Sequence, residues 1–169
     1  AVLKSHGHQT RLAYLFGRRD PAALAGHIAG WQPDIIAFSA VSPQYGEVRR
    51  LFDLLPPFKA FTILGGQHAT LAPECLEEIE GLNAICIGEG EWPMLELADT
   101  LARGGSPETI QNLWVKKPGG EIVRNPARPF IEDLDSLPFP DRELFDYQRI
   151  IDSDFNTALF MFSRGCPYD

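Results

Sequence analysis

Apolar residues in this chain fall into short dense runs, separated by segments in which they recur at helical spacing. Residues 35–41 (Ile-Ile-Ala-Phe-Ser-Ala-Val) are almost continuously apolar, as a strand covered on both faces should be. Phe61 to Leu64 and Ala84 to Ile87 read the same way, and Arg11 to Phe16 is a shorter strand candidate. Asp20-Pro21 opens a helix: the aspartate caps it, and proline takes the first helical position, where a missing N–H costs nothing. Gly30 is expected to end that helix. Val48, Leu51, Phe52 and Leu55 share one face of the next helix, which Pro56-Pro57 stops. A further helix is expected over about 73–80, ending at Gly81. A last one carries Met94, Leu97, Ala98 and Leu101 on one face and stops at Gly104-Gly105.

The strand starts near 35, 61 and 84 are separated by roughly 25 residues, about the length of a compact βαβ step. Alternation of this kind predicts a doubly wound α/β domain with a parallel sheet, flavodoxin-like or Rossmann-like, over residues 1–105. The character then changes. Leu113 to Lys117 and Glu121 to Arg124 flank Pro118-Gly119-Gly120 and predict a β-hairpin. Pro126, Pro129, Pro138 and Pro140 stand among acidic residues in an extended, linker-like stretch, so 106–156 reads as hairpin and linker. Thr157 to Ser163 is apolar enough for one more buried strand. Both ends read as cuts: the chain starts in the last turns of a helix closed by Gly7, and it stops inside a motif, Ser-Arg-Gly-Cys-Pro-Tyr-Asp. The domain's first strand is therefore expected to precede Ala1. Residues 157–169 read as the start of a second domain, and segment 157–163 within them is expected to occupy the sheet edge left spare, in the same chain or in a neighbour.

Composition narrows the class. The 169 residues include 44% hydrophobic and 22% charged, a globular balance that argues against disorder. No apolar run is long enough to cross a membrane as a helix. A net charge of −8 is poorly suited to binding nucleic acid through its phosphates. Cys75, Cys86 and Cys166 are an odd set with no disulfide framework, which favours a reducing cytoplasm.

In a parallel sheet the loops at the carboxyl ends of the strands share one edge, where ligands bind. Three such loops are legible: Ser39-Ala40-Val41-Ser42-Pro43-Gln44-Tyr45, Gly65-Gly66-Gln67-His68-Ala69-Thr70 and Gly88-Glu89-Gly90-Glu91. Small residues there admit a bulky ligand. A nicotinamide fingerprint fits poorly, because Pro93 stands where the third glycine belongs and two carboxylates lie where pyrophosphate would sit. There is no P-loop string, no aspartate for a phospho-receiver near Ser39, and no run of hydroxyls for a flavin phosphate. His68 reads as a hydrogen-bonding residue, His6, His8 and His27 as surface residues, and Cys75 and Cys86 as small core residues. Glu89 and Glu91 suit a helix N-terminus.

These loops resemble a known family. Ser39-Ala40-Val41 with Gly65-Gly66 is similar to the "SxL … GG" pair of cobalamin-binding domains, Val41 standing where leucine is commoner. In that family the serine loop and the glycine pair line a slot for the dimethylbenzimidazole tail of cobalamin. Its D-x-H-x-x-G motif, whose histidine ligates cobalt in classical members, would precede Ala1. Gly-Gly-Gln-His-Ala-Thr (65–70), Gly-Glu-Gly-Glu (88–91), Asp-Leu-Asp-Ser-Leu-Pro-Phe-Pro-Asp-Arg (133–142) and Ser-Arg-Gly-Cys-Pro-Tyr (163–168) extend the resemblance to the cobalamin-binding radical S-adenosylmethionine proteins. The resemblance implies cobalamin held by Ser39, Ala40, Val41, Ser42, Gln44, Tyr45, Gly65, Gly66, Gln67, His68, Gly88, Glu89 and Gly90. Ser39 or Ser42 would meet the tail, and Gln44, Tyr45, Gln67 and His68 the corrin amides. It makes Cys166 the first of three cysteines holding a [4Fe–4S] cluster, the other two falling after Asp169 in a radical S-adenosylmethionine barrel. On this reading the piece alone is catalytically inert, and the parent is a methyltransferase or a related radical enzyme. The alternative from the residues themselves is the same scaffold serving as a docking domain that no longer binds cobalamin.

Overall fold

The computed structural model describes residues 1–13, 21–153, 157–158, 160 and 163–165. In chain order its elements are α1 (Val2–Ser5), α2 (Pro21–Trp31), β1 (Ile35–Ser39), α3 (Ser42–Leu54), β2 (Phe61–Gly65), α4 (Gln67–Leu71), α5 (Cys75–Glu78), β3 (Ala84–Cys86), α6 (Glu91–Ala102), β4 (Leu113–Lys116), β5 (Ile122–Arg124) and α7 (Tyr147–Ser153). The chain divides into two compact units: residues 15–130, and residues 1–14 together with 131–169.

In the 15–130 unit the sheet order is β1-β2-β3-β4-β5. β1, β2 and β3 are parallel, with Ser39 opposite Gly65 and Leu64 opposite Ile85. β4 runs antiparallel to β3, and β5 antiparallel to β4. The sheet is thus mixed rather than purely parallel: the expected hairpin forms and adds to β3. The alternating pleat sends neighbouring residues to opposite faces. Phe38, Leu64 and Ile85 meet Val48 and Phe52 of α3, Ala69 of α4, and Cys75 and Leu76 of α5 on one face. Ile63, Ala84, Cys86, Leu113 and Val115 meet Met94, Leu97 and Leu101 of α6 on the other. Ile63, Leu64, Leu76, Leu82, Ile85, Leu97 and Leu113 are essentially inaccessible, and burying a side chain of this kind contributes about 1.5–3 kcal/mol.

Local differences from the sequence pattern have physical causes. Gly30 does not end α2; the helix runs through Trp31, and Gln32 takes the left-handed conformation beyond it (φ 51°) while its N–H still reaches Ile28 O. The helix expected over 73–80 is shorter, over Cys75–Glu78, and a separate turn, α4, precedes it. Pro73 explains the break: it lacks an N–H and pushes Ala72 off the helical region, to φ −134° and ψ 66°. Residues 11–13 form no strand, and the rest of that candidate, 14–16, lies outside the described residues.

In the other unit, α1 ends as the sequence implies, with Gly7 at φ 87°. Lys4 pairs with Asp141 and holds its carboxyl below the usual range. The guanidinium of Arg142 lies 5.5 Å from the centre of the Tyr147 ring and 5.1 Å from that of Phe160. Of the segment expected to be a strand, Thr157, Ala158, Phe160 and Ser163 are exposed and form no strand, and Leu159, Met161 and Phe162 lie outside the described residues. Phe160 is 60% exposed, with its ring against the guanidinium of Arg142.

Candidate functional site

The carboxyl ends of β1, β2 and β3 bring three of the predicted loops together. The first two are tied by backbone. Ala40 N–H donates to Gly65 O (3.2 Å), and His68 N–H donates to Ala40 O (3.1 Å). Gly66 makes this approach possible. Its φ is +90°, and a Cβ there would lie 2.7 Å from Ala40 O, 2.9 Å from Ala40 N and 3.1 Å from Ser39 Oγ. Gly65 differs. Its φ is ordinary, and a Cβ would meet nothing closer than Cys86 Cβ at 3.9 Å. The chain requires glycine at 66; at 65 an added Cβ would make only ordinary van der Waals contacts at the end of a buried strand.

Around this pair the predicted polar residues divide. Ser39, Ser42 and Gln67 are exposed on the edge, and Val41 is partly so. Ser42 Oγ and His68 Nδ1 are 3.2 Å apart. The His68 ring stacks on Tyr45, with centroids 3.9 Å apart and planes 25° apart. Tyr45 in turn donates its hydroxyl to Glu78 Oε2 at 2.7 Å. Burial and this carboxylate push the phenol well above its ordinary range, so it stays protonated. The tyrosine expected to reach outward thus serves as a platform for His68. Gln44, exposed, is engaged by its own chain: its Oε1 accepts the Val41 N–H at 3.3 Å, satisfying a donor at the start of α3. His68 lies within α4 rather than in a loop.

In the third loop Gly88 is exposed with φ +76°, and Gly90 precedes the first turn of α6, where Glu91 sits favourably at the helix start. Glu89 O receives a weak contact from the Cys86 thiol, 3.9 Å away. Cys86 lies beneath both glycine loops; burial, then the charge of Glu91, pushes its thiol up to about 11, against the pull of Arg128. Cys75 is raised to about 11 by burial and by Glu78 and Glu74. Both are neutral core thiols, as their sequence context implies. Cys166 lies outside the described residues. Among the described residues, no group of three or more His, Cys, Asp or Glu could hold a metal ion.

Two side chains at this edge lie outside the set expected to hold the ligand, although Thr70 closes the second predicted loop. Thr70 Oγ1 donates to Gly66 O (3.2 Å) and accepts the Gly88 N–H (2.9 Å). Asn112, buried and left-handed at φ 70°, donates from Nδ2 to Ile87 O (2.6 Å) and accepts the Arg128 N–H at Oδ1 (3.0 Å). The only signal for Asn112 is that asparagine tolerates the left-handed region better than most residues.

Three tied loops at the carboxyl ends of parallel strands form the edge at which α/β domains of the doubly wound class bind their ligands. The B12 binding domain family matches residues 1–98, and the chain belongs to that family. It is 32% identical over 145 residues to an anaerobic magnesium-protoporphyrin IX monomethyl ester cyclase of Rubrivivax gelatinosus, covering 81% of this chain and 26% of the cyclase. It is 32% identical over 176 residues to a hopanoid C-3 methylase of Methylococcus capsulatus, covering 99% of this chain and 32% of the methylase. The chain therefore spans no more than a third of the length of either relative. The radical S-adenosylmethionine methyltransferase TsrM of Kitasatospora setae, solved with cobalamin and a [4Fe-4S] cluster bound, superposes with a TM-score of 0.65 at 24% identity. The alignment covers 76% of this chain and 27% of TsrM, and it shows a shared fold. No helix among the described residues is long and apolar enough to cross a membrane.

Proposed function

We propose that this chain binds cobalamin at the carboxyl edge of β1–β3, as the cobalamin-binding part of a cobalamin-dependent radical S-adenosylmethionine enzyme of the cytoplasm. The observation that carries the reading is the asymmetry of the glycine pair. Gly66 is required by the chain's own backbone, whereas Gly65 is not: a Cβ there would make only ordinary contacts, with Cys86 Cβ at 3.9 Å and Phe38 O at 4.0 Å, so glycine at 65 is left to serve a ligand at the edge. The donor set suits a large ligand of little net charge. Exposed Ser39 and Ser42 offer hydroxyls to the tail, Ala40 and Val41 form the first wall, and Gly65 forms the floor. Gln67, His68 and the Gly88-Glu89-Gly90 loop border the opening. Gln44 and Tyr45 act one step back, by closing the start of α3 and by backing the His68 ring. Bound cobalamin would supply methyl-carrier or cobalt redox chemistry; the residues of this chain bind it, orient it and keep water from its buried tail. Cys166 as a ligand of a [4Fe–4S] cluster, S-adenosylmethionine as co-substrate and a barrel domain as partner belong to the same reading of the whole protein, supported by the motif order from Gly65 to Tyr168.

Titration of the full chain with hydroxocobalamin, followed by visible absorption, tests the proposal. Saturable one-to-one binding is expected, and Gly65→Leu should abolish it while leaving the far-ultraviolet circular dichroism unchanged. Absence of binding by the wild-type chain, or equal binding by Gly65→Leu, would overturn it.

A further inference from the structure

We infer that Thr70 is a positioning residue that locks the Ile87–Gly88 peptide and thereby sets the third loop for the cofactor; the second clause rests on the cobalamin reading. The carbonyl of Ile87 and the N–H of Gly88 are the two ends of one peptide plane. Asn112 Nδ2 holds the carbonyl at 2.6 Å, and Thr70 Oγ1 holds the N–H at 2.9 Å. A planar peptide pinned at both ends cannot flip without losing both hydrogen bonds. Gly88 lacks a Cβ and sits at φ +76°, so without these partners the peptide would have other orientations open to it.

Thr70 fills its role with one oxygen. A hydroxyl has one proton to give and two lone pairs to accept with. Here the proton goes to Gly66 O at 3.2 Å, and one lone pair takes the Gly88 N–H. Gly66 is itself fixed against Ala40, so the hydroxyl references the third loop to the two loops already tied together. Thr70 is exposed on the same edge, within the border of the proposed slot. Valine has the same shape without the oxygen, and serine keeps the oxygen without the methyl group.

The test compares the Thr70→Val and Thr70→Ser variants of the full chain by amide hydrogen exchange at Gly88 and by hydroxocobalamin titration. A net hydrogen bond of ordinary strength predicts a roughly tenfold faster Gly88 exchange and a roughly tenfold weaker cobalamin affinity in Thr70→Val, with Thr70→Ser within about twofold of wild type in both. Wild-type exchange at Gly88 in Thr70→Val, or equal impairment of both variants, would overturn the lock. Faster exchange with unchanged affinity would overturn its link to the cofactor. A wild-type chain that binds no cobalamin overturns the cofactor reading and that link, while the exchange comparison still decides the lock.

Discussion

Leu64 and Gly65 are neighbours on one strand, yet they belong to regions built on opposite principles. The interior around Leu64 is made by filling space: its side chain is fully buried between Phe38 and Ile85 and beneath α3, α4 and α5. The edge beginning at Gly65 is made with small residues and by tying backbone to backbone, from Ala40 to Gly65 and from His68 to Ala40. Close packing makes the interior costly to alter, since one missing methylene leaves a void that neighbours only partly fill. The edge holds little of the folding energy, and its geometry is what a ligand would feel. Stability therefore reports on one region and binding on the other, and this division can be tested along a single strand.

The largest expected effect is in the interior: Leu64→Ala should lower unfolding free energy by about 2–5 kcal/mol in a denaturant titration. A loss below that range would mean that the interior is less tightly filled than the geometry indicates. Gly66→Ala comes next, at about 1–3 kcal/mol, because alanine must adopt a left-handed φ and bring Cβ to 2.7 Å from Ala40 O. It is an edge position that behaves like an interior one, so a neutral result would break the assignment of Gly66 to the chain's own needs. The thiols beneath the edge give a smaller, pH-dependent effect. Cys75 and Cys86 are held up to about 11 against an ordinary 9.0, so above pH 9 the unfolded chain ionises them first. Their contribution is complete below pH 9 and is lost as pH rises toward 11. Cys86→Ala should make that alkaline decline shallower; an unchanged slope in chemical denaturation would contradict the cause given. Smallest in stability is Gly65→Ala, expected within about 0.5 kcal/mol of wild type, with hydroxocobalamin affinity reduced all the same. Equal stability losses at 64 and 65 would erase the comparison.

How much of this was legible in advance depended on whether the cause was local. Ile35 to Ser39 and Phe61 to Leu64 announce buried strands by apolarity, and Pro56-Pro57 announces the end of α3 by missing donors. Gly65-Gly66 marks the edge, but letters carry no φ, so the sequence cannot say that the chain requires one glycine and not the other. Tyr45 and Gln44 are polar residues in the right loop; only three-dimensional proximity reveals that Glu78 and the Val41 N–H have claimed them. Asn112 lies 25 residues from the carbonyl it holds, and Thr70 lies 18 from its donor. The antiparallel addition of β4 to β3 was hidden for a similar reason: a hairpin signal specifies its own turn, and not the strand against which it will lie.

The strand order has a consequence for how the domain comes into being. Each strand pairs with the one made just before it: β2 with β1, β3 with β2, β4 with β3, β5 with β4. Among the described residues no strand pairing has to wait for a distant part of the chain, so the entropy of closing each loop is low and the sheet can be laid down in the order of synthesis. A chain emerging from the ribosome can complete the Ser39–Gly65 junction before the hairpin has been translated. The Ser39–Gly65 edge is thus among the first parts of the sheet able to mature, ahead of the hairpin that completes it.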